Sequence, residues 1–306
     1  MLQGTLRNWQ KEMNINYHET VLIKETVESL HIEKGKKYID ATLGNAGHTL
    51  EILKAKGQVL GIDADPTMIS ISKNRLSEAN IPDENYRLIQ GNFTEIDEIA
   101  EKIGWEEVDG ILFDLGVTNL HLKDQERGFS FANRQADLDM RVDPKAQGVK
   151  ASDLLNVLRE DQLREMFEVT LEAGSAKWIT GRTIHSRNQK PIKTVGDFLE
   201  ICEGLKTGKG GINEATLPFL AVRIAVNSEL TNLEEVLPKA YALLKKGGRL
   251  VVISFHSKED VLVKSFFKEK VLEGSKMITF KPVMAGEEEL FENKRARSAK
   301  LRVLEK

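Results

Sequence analysis

The clearest pattern of hydrophobic and polar positions in this 306-residue chain lies in the stretch from Lys36 to Asp63. An apolar run at residues 38–41 is too brief for a helix, which predicts a buried strand. Small residues at 42–47 predict a tight turn, and the spacing of apolar positions at 48–56 predicts a short helix. A second apolar run at 58–62 predicts another strand, which ends on an aspartate. The stretch is therefore predicted to form the first half of a nucleotide-binding βαβ unit.

Similar patterns predict the other strands and helices outside the middle of the chain. Pro238 predicts a break in one helix, because proline removes a backbone donor, and the Lys-Lys-Gly-Gly at 245–248 predicts the end of that helix. Asp65 is placed to cap a helix whose first turn carries Pro66. The predicted strands are 86–90, 109–114, 249–254 and a late antiparallel pair at 277–283 and 299–304; the predicted helices are 21–30, 66–78, 97–103, 214–230 and 233–244.

The middle of the chain has a different pattern, with no clear strand from Val117 to about Gly211. Helical stretches are predicted there at 151–157, 161–171 and 194–205. Five strands closed by a late strand pair suit an α/β fold with a doubly wound, Rossmann-like class I methyltransferase sheet and an inserted helical domain. The predicted parts are an N-terminal extension at 1–16, a methyltransferase domain at 17–131 and 216–306, and a helical insertion for substrate recognition at 132–215, which ends in a linker with Gly208, Gly210 and Gly211.

Polar side chains recur where the predicted parallel strands end. Asp40, Asp63, Asn92 and Asp114 each close or follow one of these strands. Ligands of open parallel sheets bind beyond the carboxyl ends of the strands, and a hydrophobic core has no need for acids at such positions. The recurrence therefore predicts a binding site along this edge of the sheet.

The turn after the first strand narrows the choice of ligand. It lacks the G-x-G-x-x-G spacing that lets a pyrophosphate approach the backbone, so a nucleoside without phosphates, such as S-adenosylmethionine, fits better than a dinucleotide. The ligand's carboxylate and amine would face the turn and the helix N-terminus behind it, and its ribose would face Asp63. Phe93 could stack on an adenine, with a core phenylalanine at a strand end as the alternative. For the turn itself, the alternative is an ordinary βα turn.

Composition and charge limit the class of protein and its cellular location. Hydrophobic residues make up 41% of the chain, enough for a core, and the formal net charge of −3 argues against a basic nucleic-acid binder as a whole. Five basic residues between 294 and 302 could still bind RNA backbone, with a solvated surface as the alternative. The single cysteine, Cys202, excludes an internal disulfide, and nothing in the pattern indicates a metal site. Without a membrane-length apolar run or a secretory signal, we expect a cytoplasmic protein.

Several long segments, in order along the chain, carry a family resemblance. The segments are 18–22, 40–48, 61–66, 92–93, 108–117, 126–131, 138–141, 223–227, 248–257 and 295–302. Together they resemble the MraW/RsmH family, bacterial enzymes that use S-adenosylmethionine to methylate the exocyclic N4 of a cytosine in 16S ribosomal RNA. The resemblance implies that cofactor, 16S rRNA or the small ribosomal subunit as partner, and a homodimer. It implies cofactor contacts at Ala46, Gly47, His48, Asp63, Phe93 and Asp114.

Some motifs depart from the family pattern. Residues 118–121 replace the family's Ser-Ser-Pro-Gln, so that His121 stands where a glutamine would contact the cofactor. Two motifs of the insertion are also changed, near 170–173 and at 213–215. These differences support a second hypothesis, in which a divergent relative binds S-adenosylmethionine but has another RNA substrate or serves as a non-catalytic ribosome-assembly factor.

The chemistry implied is methyl transfer to a weakly nucleophilic amine. The sulfonium is already a good leaving group, whereas the lone pair of the cytosine amine is spread into the ring, so positioning and fixed acceptors must supply most of the rate. Asp114 is the predicted catalytic acceptor. A nicotinamide dehydrogenase is a third hypothesis, which the missing glycines disfavour. The predicted substrate residues, each with a structural ion pair or loop hydrogen bond as the alternative, are Arg127, Asp139, Arg141, Asn227 and His256.

Overall fold

One sheet dominates the computed structural model of the chain, which describes residues 20–206 and 213–306. The predicted N-terminal extension at 1–16, His18 and the three linker glycines lie outside the described residues. Within the described ranges the sheet has seven strands. They are β1 (Lys37–Asp40), β2 (Gln58–Asp63), β3 (Tyr86–Gln90), β4 (Val108–Asp114), β5 (Leu244–Ser254), β6 (Lys276–Met277) and β7 (Lys300–Glu305).

The strand order confirms the predicted fold class. The strands lie in the order β3-β2-β1-β4-β5-β7-β6, and neighbours from β3 to β5 pair in parallel, whereas β7 pairs antiparallel with both β5 and β6. This late antiparallel pair separates the sheet from the dinucleotide-binding order 3-2-1-4-5-6. The predicted strands at 277–283 and 299–304 correspond to β6, β7 and an isolated bridge between Val283 and Leu301.

The start of β5 was predicted wrongly. Residues 245–248, expected to end a helix, belong to the strand, whose first residue Leu244 is buried and pairs with Val108. The register then shifts between Val108 and Gly110. Gly247 takes a φ of +82°, a conformation that glycine adopts without strain, so the two glycines that looked like a helix stop accommodate an irregular strand.

Helices cover the sheet and build the middle of the chain. The predicted break at Pro238 is wrong, because that helix runs through the proline; its buried residues Leu233, Val236 and Leu237 hold it against the sheet and outweigh one lost hydrogen bond. Four of the described helices were not predicted, those at 119–123, 173–189, 257–272 and 287–292. The described helices are α1 (Ile23–Leu30), α2 (Gly47–Lys54), α3 (Pro66–Glu78), α4 (Ile96–Lys102), α5 (Asn119–Lys123), α6 (Ala151–Val157), α7 (Glu160–Glu168), α8 (Ala173–Gln189), α9 (Val195–Cys202), α10 (Thr216–Val226), α11 (Glu229–Leu243), α12 (Ser257–Leu272) and α13 (Glu287–Glu292).

The two faces of the sheet bury separate hydrophobic cores. Alternate residues of a strand point to opposite faces, so Ile39 of β1 packs with α4, α11 and α12, whereas its neighbour Tyr38 packs with α1 and α2. With both faces covered, the ends of the parallel strands are the part of the sheet open to a ligand.

A third core lies among the helices of the middle segment. It takes residues from α6 to α9, including the buried Cys202, and continues into α10 through Phe219 and Val222. This packing therefore crosses position 216, where the sequence pattern placed a domain boundary, and the division into domains stays a prediction. None of the helices in the described ranges has the length and apolar character that a bilayer crossing needs.

Candidate active site

A cleft of about 790 Å³ lies at the carboxyl ends of the parallel strands. Asp63, Asn92 and Asp114 line it as predicted. Asp40, predicted at the same edge, is instead buried, and its Oδ2 accepts from the Thr49 hydroxyl (2.7 Å). The opposite wall comes from residues 142–149 and from the junction of α10 and α11. Of the predicted cofactor residues, the cleft is lined by Gly47, His48, Asp63, Phe93, Asp114 and His121.

The turn between β1 and α2 is held rigidly at the floor of the cleft. The Gly44 amide donates to Asp63 Oδ2 (2.8 Å), and the Ser72 hydroxyl donates to the Gly44 carbonyl (2.9 Å). Ala46 has a left-handed φ of +60° and is fully buried, so it shapes the turn without lining the cleft. Gly47 is required for another reason, since a Cβ there would lie 1.7 Å from Thr20 Oγ1.

Asp63 is an acceptor with an unusual pKa. Its carboxylate accepts hydrogen bonds from the amides of Asp65 (2.9 Å) and Gly44. Burial nevertheless raises the pKa of Asp63 to about 7, and the nearby carboxylates of Asp65 and Asp40 act in the same direction. A ligand that donates hydroxyl hydrogens to this carboxylate would favour its charged form, as a ribose would.

His48 and Asp114 line the cleft and carry buried polar atoms without a hydrogen-bond partner among the described residues. The His48 ring is 4% exposed, and its Nε2 lies 3.6 Å from Asp114 Oδ2. Among the described residues, neither ring nitrogen of His48 nor Oδ1 of Asp114 has a hydrogen-bond partner. Buried polar atoms normally have one. The donor and acceptor set at this point therefore fits a polar ligand such as the amino-acid end or the reacting centre of S-adenosylmethionine and its substrate.

Phe93 packs on the hydrophobic core and also lines the cleft, the two positions between which the sequence did not decide. It begins a 3₁₀ turn after β3, capped by Asn92, whose Oδ1 accepts from the Thr94 amide (3.0 Å). The Phe93 ring packs edge-to-face on Phe113 of the core, with centroids 5.8 Å apart, and also lines the cleft. An apolar ring fixed in this way offers a surface for an adenine.

His121 lines the cleft but is bound by other side chains. Its Nε2 lies 2.8 Å from Asp65 Oδ2, and its ring stacks on Phe129 with centroids 5.3 Å apart. Arg127 Nη1 donates to the same Oδ2 (3.2 Å). Asp65 also caps α3 as predicted, accepting from the Thr67 amide (2.8 Å). Although burial would raise the pKa of Asp65, the hydrogen bonds from His121 and Thr67 hold it well below its ordinary value.

Most of the predicted substrate residues make structural contacts. Arg127 Nη2 donates to the carbonyls of Arg141 (2.7 Å) and Val142 (2.8 Å). Arg141 binds both carboxylate oxygens of Asp139, at 2.6 and 2.8 Å. Burial alone would raise the pKa of Asp139, but this contact lowers it. None of Arg127, Asp139 and Arg141 lines the cleft described here. Together they support the 142–149 wall.

Asn227 and His256 differ in their relation to the cleft. Asn227 lines it, but its side chain bonds to the Val142 amide and the Met140 carbonyl, both at 2.9 Å, and so joins α10 to the 142–149 wall. His256 does not line the cleft and caps α12, where its Nδ1 accepts from the Glu259 amide (3.4 Å). The structure thus brings Asn227, but not His256, to the cleft surface.

Two cleft groups were not predicted from the sequence. Glu229 begins α11 and is held by Arg223, with Nε–Oε1 and Nη2–Oε2 distances of 2.8 and 2.9 Å. Arg295 crosses from the C-terminal basic segment to donate to the Val117 carbonyl (2.7 Å). Burial lowers the pKa of Arg295, and Asp114 counteracts this. No simple sequence pattern signals these residues, because Glu229 pairs with Arg223 across the junction of two helices and Arg295 pairs with the distant Val117.

Glu229 also belongs to a group of metal-ligand types. Ligand atoms of Glu229, His256 and Glu259 lie within 4.8 Å of one another. Both carboxylates are already bound by the protein, Glu229 by Arg223 and Glu259 Oε2 by the amides of Phe255 (2.8 Å) and His256 (3.2 Å). His256 Nε2 lies 3.3 Å from Glu259 Oε1 and has no hydrogen-bond partner among the described residues.

Comparison with known proteins decides the family. The family model described as "MraW methylase family" matches residues 15–306. The chain belongs to the MraW methylase family. Its curated relatives include proteins named "Ribosomal RNA small subunit methyltransferase H" from Methylacidiphilum infernorum, 39% identical over 97% of this chain and 96% of the relative, and from Clostridioides difficile, 37% identical over 95% and 99%.

Membership of the MraW family confirms the resemblance drawn from the sequence motifs. Among solved structures, an rRNA methylase from Streptococcus thermophilus is similar, at 13% identity and a TM-score of 0.44, covering 94% of this chain and 98% of that one. A TM-score of 0.44 is too low to support an inference. The family is therefore assigned from the sequence match over residues 15–306, and the site is identified from its geometry.

Proposed function

We propose that this MraW-family chain transfers a methyl group from S-adenosylmethionine to the exocyclic N4 of a cytosine in small-subunit ribosomal RNA. The observation that carries the proposal is the single cleft in which Asp63, His48 and Asp114 lie along the edge of the sheet and face a wall from the middle segment. The name shared by the curated relatives supports the substrate class.

The cofactor half of the cleft lies between the β1 turn and Phe93. Asp63 would accept hydrogen bonds from the ribose hydroxyls, Phe93 would cover one side of the adenine, and the Gly47 and His48 end of the turn would hold the amino-acid part. The bound cofactor supplies a methyl group on a positively charged sulfur. The rigid turn fixes where that methyl lies, which is the contribution that positioning makes to the rate.

The acceptor half is centred on Asp114. Asp114 lines the cleft and its side chain is 24% exposed, so its carboxylate can accept a hydrogen from the cytosine amine and take up the proton released when the N–C bond forms. The backbone carbonyls of residues 115–117, directly after β4, are further possible acceptors. That of Val117 already accepts from Arg295, which leaves those of Leu115 and Gly116 as the better candidates.

The proposal also bears on the cellular location of the protein and on the state of its RNA substrate. A ribosomal RNA substrate places the enzyme in the cytoplasm, and the target base has to be unstacked before it reaches the cleft. The homodimer implied by the family resemblance stays a prediction, as does the role assigned to the helical insertion.

Methyl transfer from labelled S-adenosylmethionine to small ribosomal subunits tests the proposal. We expect label in RNA, and nuclease digestion followed by mass spectrometry should find it as N4-methylcytidine. The same nucleotide should lose its modification in a strain that lacks the gene. Cofactor binding by calorimetry without transfer to any ribosomal RNA would instead favour the non-catalytic assembly factor.

A further inference from the structure

One member of the C-terminal basic segment, residues 294–302, lines the cleft, and that residue is Arg295. Lys300 and Arg302 instead pair with Asp260, with N–O distances of 3.5 and 2.6 Å. The remaining two cations of the segment are exposed. The segment was predicted to bind RNA backbone or to lie in solvent, but Arg295 directs its charge into the candidate active site.

Arg295 is also the one lysine or arginine that lines the cleft within the described ranges. The other charged lining groups are mainly carboxylates. Negative charge stabilises a bound sulfonium, whereas a second positive charge opposes it. Arg295 is therefore better matched to the other ligand of the cleft, a base with acceptor atoms on its edge. The acidic residues that line the cleft are Asp63, Glu95, Asp114, Asp143, Glu229 and Glu259.

The guanidinium of Arg295 lies on the acceptor side of the cleft. Its Nη2 donates to the carbonyl of Val117 (2.7 Å), in the loop that follows Asp114 at the end of β4. Its Cζ lies 5.9 Å from the centre of the Phe255 ring, which also lines the cleft. Burial lowers the pKa of Arg295, and Asp114 is near enough to oppose this. These contacts hold the guanidinium beside the carboxylate that would receive the proton of the amine.

Together, Asp114 and Arg295 match the hydrogen-bonding edge of cytosine. The N4 amine of cytosine donates, whereas its N3 and O2 accept. The carboxylate of Asp114 offers acceptors, and a guanidinium offers donors only. Uracil has a carbonyl oxygen at position 4 and an N–H at N3, so each of these groups would face a protein group of its own kind. The pair therefore favours cytosine and opposes uracil.

We propose that Arg295 is a specificity-determining residue that donates to N3 and O2 of the target cytosine while Asp114 accepts from its N4 amine. The inference deepens the proposed function and rests on it for the choice of base. A hydrogen bond at N3 draws electron density away from the amine, so this contact should strengthen binding of the base rather than speed the transfer.

Binding of free nucleosides to the full-length chain, saturated with S-adenosylhomocysteine, tests the contact without any methyl transfer. The probes are cytidine, uridine and 3-deazacytidine, in which a C–H replaces N3 and the amine is kept. The wild type should bind cytidine at least about fivefold more tightly than 3-deazacytidine or uridine, the lower end of the discrimination that a good hydrogen-bonding pair supplies. This comparison uses the wild type alone, so it does not depend on the folding of a variant.

Arg295→Met should bind cytidine and 3-deazacytidine within about twofold of each other, because it has no donor for N3. Part of its preference over uridine should remain, since Asp114 still faces position 4. Arg297→Met, at an exposed position of the same segment, is the matched control and should keep the wild-type preference. Calorimetry with S-adenosylhomocysteine should give similar affinities for all three proteins, which shows that they fold.

The ratio of the two affinities separates base recognition from structural support. If Arg295 only held the Val117 loop, its loss would weaken cytidine and 3-deazacytidine equally and leave the ratio at the wild-type value. That result would overturn the inference, as would a wild type that binds the two nucleosides equally or binds neither. Methyl transfer to ribosomal RNA is scored separately, so its absence would reject the proposed reaction while the nucleoside result stands.

Discussion

His48 Nε2 lies 3.6 Å from Oδ2 of Asp114, and neither ring nitrogen of the histidine has a partner within the described parts of the chain. The pair stands where the ends of β1 and β4 meet, next to the rigid turn at Gly44–Gly47. A carboxylate that lines the cleft beside a buried, unpartnered imidazole is positioned to accept a hydrogen from a substrate amine.

Asp114→Asn should lower the single-turnover rate of methyl transfer by about 10²–10³-fold, because the amide cannot take up the proton of the amine. The affinity for S-adenosylmethionine should change much less. Rapid-quench kinetics with labelled cofactor and calorimetry measure the two effects. Asp109→Asn, the same substitution at the opposite end of β4, should leave the rate unchanged. A wild-type rate in Asp114→Asn would remove this residue from the mechanism.

The affinity for S-adenosylmethionine should depend on the protonation of Asp63. Its folded pKa of about 7 lies above the ordinary value, so the free protein loses stability as the pH rises from about 4 to about 7. The ribose hydroxyls would donate to the ionised carboxylate of Asp63. The affinity for S-adenosylmethionine should therefore fall by about tenfold for each pH unit below about 7. Calorimetry across this range measures it. Asp63→Asn should bind weakly with no such slope, and an equal slope in the variant would assign the effect to another group.

The sheet and its acids could be predicted because they depend on local pattern. The run at 38–41 and the run ending at Asp114 carry enough apolar residues to specify buried strands, and parallel strands must end at a common edge. The residues that line the cleft at the strand ends can be predicted from that geometry alone. The turn, Asp63 and Asp114 therefore came from the sequence without any tertiary information.

Helix α8 shows why other elements were missed. Its buried positions are Ala176, Ile179, Thr180 and Thr183, so the face that packs inward is only weakly apolar. In α12, the buried positions include Glu259 and Asp260, which a pattern of hydrophobic residues counts as exposed. Each helix is stabilised by tertiary contacts that its own sequence does not display.

The sequence could not decide the roles of the residues that support the cleft. Arg127 was predicted to contact substrate or to make a structural contact, and its guanidinium binds Asp65 and the carbonyls of Arg141 and Val142. An arginine in a polar loop looks the same in sequence whether its partner is a phosphate or a distant aspartate. Only the folded structure shows that the partners are already present.

Close packing between Thr20 and Gly47 should make Gly47→Ala destabilising. The added Cβ would lie 1.7 Å from Thr20 Oγ1 and 2.8 Å from its Cβ, so one segment must move. Overpacking of this kind costs about 1–3 kcal/mol of unfolding free energy, and the displaced turn should also bind S-adenosylmethionine less well. Denaturant titration and calorimetry measure both effects.

A double variant separates this clash from other effects at Gly47. Thr20→Gly combined with Gly47→Ala removes the side chain that the new Cβ meets, and it should recover much of the lost affinity. Gly174→Ala adds a Cβ where nothing lies within 4 Å and should not destabilise the protein. No recovery in the double variant would show that Gly47 is needed for contact with the cofactor itself.

Asp65 should contribute to stability with a defined pH dependence, since His121 and Arg127 both bind its Oδ2. Asp65→Asn should lower the free energy of unfolding by about 1–3 kcal/mol at neutral pH. Because the folded pKa of Asp65 lies below its ordinary value, the contribution is complete above about pH 4 and is lost as the pH falls further. Urea titrations at several pH values measure the difference from the wild type. The exposed Asp161→Asn should show little change, and a deficit in Asp65→Asn that persists undiminished in acid would mean that shape, rather than charge, holds His121 and Arg127 in place.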